Sequence, residues 1–285
     1  MTVTFIRGAE VNRPEPAALT SSIEDHATVV DKSDFGLRNN EGLWPSYNCL
    51  DLLVPTPMCP DPMLTGTKIF TTAGWVPGFE FAVYGGVQCS AVGLDAADQK
   101  AEVARVFERS EGKGIEQALL LNRFVATDSD APVQWDEPVD LGTAPTLLSA
   151  LGILEGYAAV HYAGIPTLHV PRAIITMGFG AGALVERDGK FYTKAGSKVA
   201  AGGGYDDGTV PISNTADLYV TGEVYVERSE EISVQSYVYP GDGSGLGSDE
   251  NGLADNTVLA LAERMYRVGV DCLVAKVTAT LWAAS

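Results

Sequence analysis

Few side chains in this chain could do chemistry, and their spacing supports little of it. There are three histidines, His26, His161 and His169, and four cysteines, Cys49, Cys59, Cys89 and Cys272. A zinc centre takes Cys and His ligands at short helical or hairpin spacings, and no histidine here has such a neighbour. The cysteines form no CxxC pair and read as ordinary half-buried thiols. His161 closes an apolar run at helical spacing, where a tolerated helical residue is the plain reading and a general base the alternative. No G-x-S-x-G elbow or GxxxxGK[ST] phosphate loop is present, and the clusters Gly178/Gly180/Gly182 and Gly202 to Gly204 do not fit G-x-G-x-x-G. Asp242, Ser244 and Leu246 fail the oxygen-donor pattern of a calcium loop. Asp206-Asp207 and Asp249-Glu250 read as solvated turn acids. These residues imply neither an enzyme nor a cofactor.

The residues that do cluster are aromatic. Trp44, Trp75, Phe79, Phe81 and Tyr84 gather in and just after a segment carrying Pro45, Pro55, Pro57, Pro60 and Pro62. They either fill a local core or pack against another subunit. The prolines favour the second, because they forbid a central strand and imply an extended, edge-like excursion. Exposed on a lone monomer, such a segment is an aggregation hazard.

Charge narrows the partners. With 37 acids against 19 bases the formal net charge is −18, and a chain this acidic repels phosphate backbones, so sequence reading of DNA or RNA is excluded as a main task. The acids are concentrated in three segments without a base: residues 125–142, 205–217 and 240–256. They are expected to be exposed loops. No apolar run reaches the roughly 18 residues of a membrane span. The N-terminus lacks a basic-then-apolar signal peptide, which implies a cytoplasmic start.

The elements that must carry these residues are of mixed type. Residues 1–45 are polar and lack sustained periodicity, so they form a disordered tail or an arm that orders only on a neighbour. Phe79 to Tyr84 alternates like a strand before Gly85-Gly86. A long helix is predicted from about Ala96 to Arg123, with Val103, Val106, Phe107, Ile115, Ala118 and Leu119 in its stripe. Glu102–Arg105 and Lys113–Glu116 stand in i,i+3 register on it, and Gly112 and Gly114 are expected to bend or break it. A second helix follows Thr143, through Leu147, Leu151, Leu154 and Ala158, with Gly164 as its stop. "HVPRAIITMGF", "GKFYTKAG" and "LYVTGEVYVERSEEISVQSYVY" read as strands, Asn256 to Val268 as a third helix, and Cys272 to Leu281 as a closing strand. In that last strand Leu273, Ala275, Val277, Ala279 and Leu281 share a face. The fold class is α+β, without alternating βαβ units.

Laid end to end, these elements resemble the major capsid protein of tailed bacteriophages, the Hong Kong 97-type fold also used by encapsulins. "APTLLSALGILEGYAAVHYAGIPTLHVPRAIITMGFG", "VERDGKFYTKAGSKVAAGGGY" and "NTVLALAERMYRVGVDCLVAKVTATL" look like that family's C-terminal half. "FEFAVYGGVQC" with "GEVYVERSE" is most similar to capsid proteins of phages infecting actinobacterial hosts. The resemblance covers roughly residues 45–285. It implies an extended N-terminal arm (1–45), a projecting loop (46–92) and a peripheral domain with the spine helix (93–143). An axial domain (144–250) and a closing peripheral helix and strand (251–285) follow. Under it, Trp44, Trp75, Phe79, Phe81 and Tyr84 are subunit contacts.

The same resemblance implies self-assembly through pentamers and hexamers into an icosahedral shell around double-stranded DNA, held without sequence-specific contacts. Portal, decoration and separate scaffolding proteins are implied partners, since the first 45 residues are too few for a helical scaffold domain. The chain then belongs to a virion assembled in a bacterial cytoplasm; the alternatives are an encapsulin-type compartment and an enzyme with a cryptic site in the strand-rich block. Lys68 lies in the projecting loop but lacks the acid and asparagine constellation for cross-linking. Gly112/Gly114, Gly202 to Gly204 and Gly241 to Gly247 are the joints where one chain could fit five- and six-fold surroundings.

Overall fold

The computed structural model describes residues 19–33, 43–46, 74–77, 79–90, 96–121, 138–205, 214–239 and 257–281. Lys68, Cys49, Cys59, the Gly241 to Gly247 stretch and most of the three acidic segments lie outside them. Asp140 and Asp217 are described, and both sit on strands, not loops.

Every second residue near the C-terminus faces inward, which sets the first sheet. Ala260, Ala262, Tyr266, Val268 and Val270 are all buried, along one strand, β13 (Thr257–Val270). This corrects the expected third helix. Val258, Leu261, Ala262 and Met265 do recur at helical spacing, but a period of two was hidden because Leu259, Leu261 and Met265 make the outer face apolar too. Pairing along both edges then overrides local propensity. β4 (Phe79–Ser90) runs antiparallel beside β13 through twelve residue pairs, Val268↔Phe79 to Thr257↔Ser90. On the other edge, β11 (Val224–Ser229) pairs the C-terminal half and β12 (Ser233–Tyr239) the N-terminal half. β1 (Thr28–Lys32) adds to β11 in parallel.

Across this five-stranded sheet lies α2 (Ala96–Leu121), the expected long helix. Val103, Phe107, Ile115, Ala118 and Leu119 are buried as read, whereas Val106 faces out. Arg105 bonds Glu102 through Nε at 2.9 Å, the expected i,i+3 pair. The helix is unbroken at Gly112 and Gly114. A Cβ at Gly114 would stand 2.6 Å from Val83 of β4; the glycine lets helix and sheet approach and does not hinge them.

The second sheet has seven strands in the order β5-β14-β10-β6-β9-β8-β7. They are β5 (Val139–Ala144), β6 (Thr167–His169), β7 (Leu184–Arg187), β8 (Lys190–Thr193), β9 (Lys198–Ala200), β10 (Thr215–Thr221) and β14 (Val274–Thr280). In and beside β14 the expected inner face holds: Leu273, Ala275, Val277 and Ala279 are buried and Leu281 packs against them. α3 (Leu147–His161) covers that face with Leu147, Leu151, Leu154 and Ala158. Thr146 caps it, its Oγ1 accepting from Ser149 N at 3.1 Å. The expected "HVPRAIITMGF" strand is overturned but for its first residue. Thr167–His169 is β6, but Pro171 ends it and starts α4 (Arg172–Gly180). Proline's fixed φ suits a helix start, and Ile174, Ile175 and Gly178 then form a buried helical face although both isoleucines are β-branched.

Three short elements remain among the described residues. β2 (Leu43–Ser46) and β3 (Gly74–Pro77) form an isolated antiparallel pair, with Pro45 opposite Trp75. That fits the proline argument for an edge-like excursion. α1 (Ile23–His26) begins the N-terminal part of the chain packed on the body.

Candidate functional site: where the N-terminal segment joins both sheets

Residues 19–33 belong to the segment expected to be a disordered tail or an arm that orders only on a neighbour. They are instead bound within the subunit, because Ile23 is fully buried beside Ile115 and Leu119. Burying such a side chain contributes roughly 2 kcal/mol. β1 also takes backbone partners along β11, from Thr28↔Tyr225 to Lys32↔Ser229. A short apolar anchor and an open strand edge suffice, and neither shows in a mainly polar sequence.

Glu116 holds the junction. Its Oε1 accepts from Ile23 N at 3.0 Å and Gly202 N at 2.9 Å, and Oε2 accepts from Gly204 N at 2.7 Å. One α2 carboxylate thus ties the N-terminal segment to the glycine stretch after β9. A Cβ at Gly204 would meet Glu116 Cβ and Lys113 O at 2.4 Å, so only glycine brings its N–H so close. The expected Lys113–Glu116 pair does not form, since Glu116 points inward while Lys113 is exposed. Gly202 and Gly204, expected as a flexible joint, are clamped. Burial pushes the Glu116 carboxyl up to about 7, against the pull of its three N–H donors.

One turn earlier Glu111 organises a second cluster. It accepts from Arg228 Nη1 at 3.0 Å, Arg264 Nη1 at 2.9 Å and the Tyr266 hydroxyl. Arg228 also reaches Glu24 of α1 at 3.0 Å and Asp31 of β1 at 2.7 Å. Burial, with Glu111 nearby, pushes Glu24 up to about 7. Further grips come from the second sheet. Arg172 Nη1 donates to Thr20 O and Ala201 O, Lys190 Nζ to Asp25 O, and Lys198 Nζ to His26 O.

Two buried histidines are structural here. Ser21 Oγ donates to Val199 O at 2.7 Å and accepts from Phe191 N at 3.0 Å, so His26 Nε2, 2.6 Å away, must carry a proton and donate to it. Ser21 is fully buried with every bond used, which leaves no nucleophile for a substrate. Burial pulls His26 down to about 4. Similarly, Thr221 Oγ1 gives its proton to Gly222 O, so His169 Nε2 donates to Thr221 and Nδ1 accepts from the Tyr205 hydroxyl. Burial pulls His169 down to about 3. His161 is exposed and stacks on Tyr157 with centroids 4.3 Å apart. Among the described residues, no group of three or more His, Cys, Asp or Glu is placed to hold a metal ion. No described helix is long and apolar enough to cross a membrane. Cys272 is disulfide-bonded, correcting the free-thiol reading for that residue.

The predicted contact residues part company. Phe81 is buried and stacks on Tyr266 at 5.8 Å, so it is a core residue of its own subunit. Tyr84, three residues along β4, is exposed. Trp44 and Trp75 lie on the β2–β3 pair and Phe79 starts β4; their side chains are outside the described set. The residues missed from sequence were Glu111 and Glu116. Their signal was position: Glu116 falls between Ile115 and Leu119 on the stripe that must be buried.

No family model matches the chain, and no curated protein matches it. Solved structures do match over nearly its whole length. A chain from Mycobacterium phage Adephagia gives a TM-score of 0.57 at 14% identity, covering 99% of this chain and 96% of that one. One from Mycobacterium phage Bobi gives 0.53 at 15%, with the same coverage. The capsid of a native GTA particle, computed with C5 symmetry, gives 0.53 at 13%, again covering 99% and 96%. The chain therefore has the fold of these phage and GTA-particle structures.

Proposed function

We propose that this chain is a major capsid protein of a tailed phage, a subunit of the Hong Kong 97-type fold that builds an icosahedral shell. The observation that carries this reading is the likeness of fold to a particle capsid over 99% of the chain. In that reading the long helix α2 is the spine helix and β2–β3 the base of the projecting loop. The five-stranded sheet is the peripheral domain and the seven-stranded sheet the axial one. Copies meet in pentamers and hexamers, with Trp44, Trp75, Phe79 and Tyr84 among the contacts. The role is structural and not enzymatic. The shell encloses double-stranded DNA without reading its sequence, in keeping with a net charge of −18. Portal, scaffolding and decoration proteins are its partners, and the virion, assembled in the host cytoplasm, is its location.

Sedimentation velocity of the purified full chain over a range of concentrations tests the reading. Shell-sized species, with pentamers and hexamers beneath them, are the expected result. A single monomeric boundary at every concentration contradicts it.

A further inference from the structure

α3 is apolar on nearly all sides, as helices buried all round are. Among the described residues one side of it is buried, that of Leu147, Ala150, Leu151, Leu154 and Ala158. On the opposite side Leu148 is 52% exposed, Ile153 37% and Val160 77%, and Ile165 just beyond the helix is 58% exposed. Gly152 and Gly156 lie between them, with nothing within 4 Å of a Cβ at either.

Charge says what can cover this face. The chain carries −18, so two copies repel wherever their acids face each other. α3 contains one acid, Glu155, and it is turned inward: Oε1 accepts from Thr193 Oγ1 at 2.5 Å and Oε2 from Ser197 Oγ at 2.7 Å. The helix has no Lys or Arg, and His161 stands at its last turn. An outward face with neither sign attracts no charged partner and spares a like-charged one. We propose that this face of α3, Leu148, Ile153 and Val160 with Ile165 beyond, is a contact surface for a second copy of this chain. This rests on the shell reading and names one surface through which subunits meet. In a ring the contact is heterologous, so the facing patch on the neighbour is a different one.

The test compares the concentration at which the wild-type full chain assembles with that of Val160→Asp, Val160→Lys, Leu148→Asp and the near-isosteric Val160→Thr. Thermal melting checks the fold, which a charge at so exposed a position as 160 leaves intact. Both charged Val160 variants, and Leu148→Asp, are expected to raise the assembly concentration about tenfold or more, with melting unchanged and Val160→Thr close to wild type. Should Leu148→Asp melt early, the Val160 pair carries the test alone. Assembly of all variants at the wild-type concentration, with the wild type forming shells, overturns this inference and leaves the shell reading standing. Weakening by Val160→Asp with strengthening by Val160→Lys overturns it too, since assembly then answers to the chain's overall charge and not to burial of this face. A wild-type chain that stays monomeric overturns both.

Discussion

Both sheets bury an apolar core, but the five-stranded one adds buried ion pairs to it. Around the seven-stranded sheet, Leu154, Leu168, Leu218, Val220, Val277 and Ala279 form a nearly continuous apolar core. Its elements follow closely in sequence from Val139 to Thr221, and β14 alone returns from afar. The five-stranded side gathers α1, β1, β4, α2, β11 and β13 from opposite ends of the chain. Carboxylates and guanidinium groups bridge those pieces: Glu111 with Arg228 and Arg264, Arg267 with Glu227 and Glu80, and Glu116 on three N–H groups. On the five-stranded side the ion pairs and the Glu116 clamp join pieces distant in sequence, among them the N-terminal segment.

The largest expected effect breaks that side. Glu111→Ala leaves Arg264 buried without its carboxylate and should cost about 3–5 kcal/mol in chemical denaturation. Leu154→Ala on the apolar side opens a cavity and should cost about 3 kcal/mol.

Acid and base sharpen the contrast. Glu24 and Glu116 have folded values near 7, above the usual 4.5, so their protonated forms favour the folded state. Their contribution is present below about pH 4.5 and is lost as pH rises through 7. His169 of the seven-stranded sheet lies near 3, below its usual 6.5, so its contribution is present above pH 6.5 and lost as pH falls toward 3. His26, near 4, works in the same direction as His169 from within the junction. Glu116→Gln, measured by thermal melting from pH 5 to 8, should flatten the loss of stability with rising pH by on the order of 1–3 kcal/mol. Hydrogen exchange should place that change at α1 and the Gly202–Gly204 stretch and not in β14. The smallest effect is local. Thr146→Ala removes the α3 cap and should cost about 1 kcal/mol without moving the pH profile.

Sequence periodicity read some elements well and others not, for physical reasons. α2 and β14 were legible because one face of each is apolar and the other is not, and α3 because Leu147, Leu151, Leu154 and Ala158 recur at helical spacing. β13 was not, because Leu259, Leu261 and Met265 make its outer face apolar, and its strand form is set by β4, β11 and β12 far away in the chain. α4 hid behind β-branched Ile174, Ile175 and Thr176, though Pro171 marked its start. At the junction, Gly112 and Gly114 read as breaks, since a single sequence does not show which backbone will lie against them. Phe81 and Tyr84 looked alike as aromatics, and only their separation by three residues on a strand placed them on opposite faces.

Imaging the particles tests the central claim most directly. Electron microscopy of the purified full-length chain should show closed, hollow shells with five-fold vertices. Only monomers or shapeless aggregates would contradict the claim that this chain is a shell-forming subunit.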